Sequence, residues 1–86
     1  MPPRVRTGYV VGAKAVARSA GRDLARVHVA NDAPEAVTSP IRRLAAEWGL
    51  PVDDTSSCAA LGGRCGLGRP VAALGELKFP GIPADS

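Results

Sequence analysis

Ile41, Leu44, Ala45 and Trp48 recur at i, i+3, i+4 and i+7, the spacing that lays apolar side chains along one face of an α-helix. Ser39 offers an N-cap acceptor and Pro40 a first-turn proline, while Gly49 supplies a left-handed stop with Pro51 two residues beyond. The spacing therefore predicts a helix from Ser39 to Trp48, with Trp48 on the stripe that faces the core. On its N-terminal side "ARVHVA" (25–30) alternates Val27 and Val29 with Arg26 and His28, the period of a strand, and the turn-rich "NDAPEAVTSP" follows as a loop. On its C-terminal side "PVDDT" reads as a second, short strand.

The same alternation extends both ways. "GYVV" (8–11) reads as an edge strand, broken by Gly12 before the alanine-rich "AKAVARSAG" (13–21), a helix that Gly21 ends. Ser57 caps a short helix "CAALGGRC" that ends at Gly66, and of its paired glycines, Gly62 and Gly63, at least one is expected to allow close backbone packing or an early end. "PVAALGEL" (70–77) is the last strand, entered through Pro70. Strands alternating with helices imply one layered α/β domain over residues 8–77, a mixed sheet between helices, with a basic arm (1–7) before it and a Pro-rich tail (78–86) after it. Eighty-six residues leave no room for a second domain, and with 45% hydrophobic but 3% aromatic residues the core must be built from Ala, Val and Leu.

Several chemistries are poorly served. No apolar run approaches the ~20 residues of a membrane-spanning helix, and the N-terminus lacks a signal pattern, so the expectation is a soluble cytoplasmic protein. Cys58 and Cys65 fall on one helical face without the second Cys/His pair of a zinc site, and are read as buried, reduced thiols; no metal or cofactor is expected. His28 has no nucleophile and acid arranged around it and reads as an ordinary sheet histidine, while the adjacent Asp53 and Asp54 face opposite sides of an extended strand and make no acid/base pair. "GAKAVARSAG" is neither G-x-G-x-x-G nor a P-loop. No enzymatic constellation is visible.

Charge is asymmetric. Residues 1–45 hold eight basic and three acidic residues, Arg4, Arg6, Lys14, Arg18, Arg22, Arg26, Arg42 and Arg43 against Asp23, Asp32 and Glu35; residues 46–86 hold three basic and five acidic ones. A cationic half favours polyanions, because Lys and Arg beside phosphates release condensed counterions. Arg22, Arg42 and Arg43 are read as solubilising charges rather than contacts.

Four blocks, "VHVANDA", "SPIRRLAAEWGLPV", "TSSCAALGGRCGL" and "PVAAL", resemble in order and spacing the kink-turn RNA-binding ribosomal proteins of the archaeal large-subunit seven-Ae and eukaryotic thirty-e type. The resemblance spans Gly12 to Glu76, 65 of the 86 residues, and is strongest in the L-G-x-x-C-G-L block. It implies a three-layer α-β-α sandwich with a small, mixed four-stranded sheet and a monomer whose partner is a kink-turn or rRNA-like RNA, in a ribosome or other ribonucleoprotein of a bacterial cell. In the family a helix start carrying a motif close to G-[TV]-[NK]-[EQ] enters the RNA major groove beside sheared G·A pairs. The resemblance therefore places Gly12, Ala13, Lys14 and Ala15 at the RNA, with Gly12 admitting phosphate to the backbone and Lys14 reaching guanine acceptors.

Ala13 and Ala15 replace polar residues of that motif, and Ala15 cannot hydrogen-bond a base. Arg18 shares the face of Lys14 and is placed to touch phosphate. Asn31 and Asp32 match the polar pair after the second strand; Leu67 and Arg69 fall in the loop where the family presents two apolar side chains to an extruded nucleotide, with Arg69 able to stack or to grip phosphate instead. The expected function is non-enzymatic recognition of a bent, G·A-containing RNA. The alternative is a divergent relative without base readout, acting as a protein-interaction or nonspecific RNA-binding module.

Overall fold

The structure is a computed structural model that describes residues 5–6, 8–19, 21 and 23–78. Arg4, Arg22 and the Pro-rich 79–86 stretch lie outside the described residues. The chain runs β1 (Val5–Arg6), β2 (Tyr9–Val11), α1 (Ala13–Ser19), β3 (Leu24–Val29), α2 (Glu35–Glu47), β4 (Val52–Asp53), α3 (Cys58–Arg64) and β5 (Ala73–Leu77). The strands form one mixed sheet in the order β1-β2-β5-β3-β4, antiparallel except for the β3–β4 pair, whose parallel crossover is carried by α2.

Side chains alternate across this sheet as a two-residue period requires. Val10, Leu24, Val27, Val29 and Ala73 face α1 and α2 and pack with Val16, Ile41 and Ala45; Val11, Ala30 and Leu74 face α3 and pack with Leu61, Cys65 and Val71. The result is a three-layer α-β-α sandwich with two helices on one face and one on the other. Its core is the Ala, Val and Leu core the composition demands, with Trp48 half-buried at its margin, lying against Gly21 where a Cβ would meet the indole at 2.7 Å. Both cysteines are free and belong to the α3 layer, Cys65 buried and Cys58 half-buried.

Two expectations need correction. α2 begins at Glu35, not after Ser39, and Pro40 lies inside it. Thr38, one turn before Ile41, is buried on the same stripe, and the Pro34 carbonyl already accepts from the N–H groups of Val37 and Thr38. Pro40 is the sixth residue of the helix, where its missing N–H takes from the Ala36 carbonyl the i+4 bond it would otherwise accept. β2 is not an edge strand, because Val5 and Arg6 of the basic arm pair with Val10 and Tyr9 as a fifth, two-residue strand beside the four expected. Just past β5, the Lys78 N–H donates to the Asp23 carbonyl at 2.7 Å.

Candidate functional site

The sheet has one end at which four chain crossings converge. The N–H of Gly12, leaving β2, donates to Ala73 at 2.9 Å, and the N–H of Ala30, leaving β3, donates to Ala72 at 2.8 Å. One residue on, Asn31 N–H donates to the Ser56 carbonyl at 2.9 Å, and Asp32 accepts from the Cys58 N–H at 2.8 Å. Gly12, the Asn31–Asp32 pair, the β4–α3 turn and the start of β5 are thereby held together, although 61 residues of sequence separate Gly12 from Ala73.

Gly12 carries φ +96°, and a Cβ built on it meets nothing within 4 Å. Only glycine holds that backbone without strain, and the open space above it leaves the chain itself accessible. Replacing Gly12 with Ala or with Ser should lower stability by about 1–2 kcal/mol in either case, since the cost is backbone conformation and not collision; equal melting-temperature losses for the two variants check this. Lys14 and Arg18 are exposed on α1, while Ala13 and Ala15 are half-buried and pack against the core around Val16. The alternation is local: α1 is seven residues long and turns the two alanines inward where Lys14 turns out.

The α3–β5 loop returns alongside α3. Leu67 N–H donates to Gly62, the Arg69 carbonyl lies against the bare Cα of Gly62, and Val71 N–H donates to Cys58 at 3.0 Å. Leu67 is half-buried and packs against the α3 cluster, whereas Arg69 is exposed. Of the two glycines read as a packing site, Gly62 is the one used; Gly63 has open space.

Two carboxylates in this region are held ionised. The Cys58 N–H, and then its thiol, keep Asp32 below the ordinary carboxylate range, and the Thr55 hydroxyl at 2.6 Å, then its N–H, do the same for Asp53. Burial and the Asp32 carboxylate push the Cys58 thiol up, so Cys58 is a poor nucleophile. A carboxylate whose folded value is depressed stabilises the fold above the unfolded value of about 4 and loses that contribution as the pH falls through the folded one. Melting temperature should therefore drop below pH ~4, and an Asp32→Asn, Asp53→Asn double variant should lose less over the same interval.

The sequence reading missed what surrounds His28. Its imidazole is 1% exposed; Nε2 donates to Glu76 Oε1 at 2.9 Å on β5, Nδ1 lies 3.5 Å from Asp53 Oδ2 on β4, and the Tyr9 ring meets it edge-on. Asp53 and Asp54 do face opposite ways, since Asp54 pairs with Arg42 of α2 at 3.3 Å. Ser57 is the cap the sequence suggests, but the bond from the Cys58 N–H to Asp32 joins residues 26 positions apart and carries no sequence signal. Among the described residues no group of three or more His, Cys, Asp or Glu could hold a metal, and no helix is long and apolar enough to cross a membrane.

No protein-family model and no curated protein matches the chain. The fold is similar to that of a 15.5 kD RNA binding protein of Giardia lamblia, at 23% identity and a TM-score of 0.74, over 83% of this chain and 61% of that one. It is also similar to a protein of unknown function from Bacillus halodurans, at 15% identity and a TM-score of 0.72, over 81% of this chain and 71% of that one. The sandwich is thus a known architecture, and one structural neighbour that has it is an RNA-binding protein.

Proposed function

We propose that this chain is an RNA-binding module that docks the Gly12 end of its sheet on a kink-turn or similarly bent, G·A-containing RNA. The observation that carries the reading is the convergence there of an open glycine backbone, the neighbouring Lys14, and the exposed Asn31–Asp32 pair. The fold shared with an RNA-binding neighbour supports RNA as the polyanion, and the concentration of basic residues in the first 45 supplies sequence-independent attraction. Lys14 is assigned to guanine acceptors, Arg18 and Arg69 to phosphate, and the Gly12 backbone to close approach of the RNA chain.

A second reading rests on Ala13 and Ala15. Neither side chain has a polar atom and both are half-buried against the core, so neither side chain can read a base edge. A module that grips phosphate through Lys14, Arg18 and Arg69 without choosing sequence is the consequence.

Lys14→Ala tests the placement common to both. Affinity for a kink-turn RNA should fall about tenfold, one contact's worth. Arg18→Ala should weaken all RNAs alike and reduce the slope of log affinity against log salt by roughly one. Unchanged affinity in both variants would move the site elsewhere on the molecule.

A further inference from the structure

Asp32 stands where the two loops of this surface meet, and its carboxylate is already engaged. It accepts the Cys58 N–H at 2.8 Å, while the residue before it returns a bond in the other direction, Asn31 N–H to the Ser56 carbonyl at 2.9 Å. The two bonds join the loop after β3, through the adjacent Asn31 and Asp32, to Ser56 and Cys58 at the start of α3. Asn31 is exposed, and its side chain makes no hydrogen bond to another described residue, leaving both an amide donor and an acceptor turned outward. The charges differ as well: a carboxylate presented to phosphate is repelled, whereas a neutral amide can donate to phosphate or pair with a base edge.

Resting on the RNA-binding reading, we infer that Asp32 is a positioning residue and not an RNA contact: its bond to Cys58 fixes the loop that presents Asn31, and Asn31 makes the contact. The sequence pair that looks like two ligands is then one ligand and its support. The negative charge of Asp32 is incidental to binding, because an amide oxygen at the same place accepts the same N–H.

The test uses the full chain with Asp32→Asn, Asp32→Ala and Asn31→Ala. Affinity for a kink-turn RNA is measured at two salt concentrations, and hydrogen exchange of the Cys58 amide is followed without RNA. Asp32→Asn should keep Cys58 protected and bind within about twofold of the parent or tighter, since the acceptor stays and a repulsive charge is removed. Asp32→Ala should expose the Cys58 amide and weaken binding roughly tenfold with the salt slope unchanged. Asn31→Ala should weaken binding while Cys58 stays protected.

An Asp32→Asn variant that keeps Cys58 protected yet binds as poorly as Asp32→Ala would make the carboxylate itself the contact and overturn the inference. So would an Asp32→Ala variant that binds like the parent. If the parent binds no RNA, the functional reading fails separately, and the exchange data still decide the support: a Cys58 amide equally protected in all variants would remove it.

Discussion

Gly62→Ala should cost this domain about 3 kcal/mol or more, the upper end of the range for forcing volume into a packed site. A Cβ at Gly62 would overlap the Arg69 carbonyl oxygen and lie 3.0 Å from its carbon, and both atoms are backbone. A side chain could swing aside. This loop segment cannot, because the Leu67 N–H bond to Gly62 at 2.8 Å and the Val71 N–H bond to Cys58 at 3.0 Å pin it on either side. A loss of that size is a large part of the ~4–13 kcal/mol that a chain of this length commands, and corresponds to a melting-temperature fall of about 12–24 °C. Gly63→Ala is the control one residue away. Gly63 lies in α3 with open space around it, so adding the methyl should stabilise by about 0.5–1 kcal/mol through helix propensity alone. Opposite signs at adjacent glycines, read by thermal melts, establish that the loop carrying Arg69 is seated on α3.

That contrast also marks what the amino-acid order reveals and what it hides. The pairing of Gly62 with Gly63 announces a close approach somewhere, because two glycines weaken a helix for no local benefit. Which glycine is used depends on where a loop seven residues further on comes to rest, and that is a tertiary fact. The stripe Ile41, Leu44, Ala45 and Trp48 is local, so the helix and its buried face are legible. Its first turn is not, because Ser39–Pro40 satisfies the local rules for a helix start while buried Thr38 and the Pro34 carbonyl draw the helix back to Glu35. Val10, Val11, Val27 and Val29 alternate visibly and divide between the two layers as their period dictates.

The candidate site was legible in the same uneven way. Gly12 and Lys14 stand out in the chain beside a strand end, whereas the open space over Gly12 belongs to the fold. The replacement of polar residues by Ala13 and Ala15 is visible in the chain, but their half-burial against the core is not. The Asp32–Cys58 bond and the His28–Glu76 bond join residues 26 and 48 positions apart, and no local pattern encodes either. Leu67 reads as one of the loop's apolar side chains; that it packs in part against the α3 cluster is a tertiary fact the chain does not show.

The largest expected effect in binding concerns choice among RNAs. On the proposed docking, Lys14 is the side chain of its motif that reaches guanine, and replacing the sheared G·A pairs of a kink-turn by Watson–Crick pairs would remove that contact together with the bend that brings phosphate to Gly12, Arg18 and Arg69. One to two good contacts correspond to a roughly ten- to hundredfold loss. The electrostatic part should survive the replacement and fall with salt in parallel for both RNAs, with a slope set by the number of phosphates met. A difference that persists as salt rises therefore reports recognition of the RNA's form rather than its charge.

The most direct measurement is a titration of the unmodified chain against a kink-turn RNA and against the same RNA with its G·A pairs replaced, at low and at physiological salt. The proposed function predicts at least about tenfold tighter binding to the kink-turn at both salts. Equal affinities that fall together with salt would contradict specific recognition and leave the phosphate grip of Lys14, Arg18 and Arg69; no binding to either RNA would contradict both.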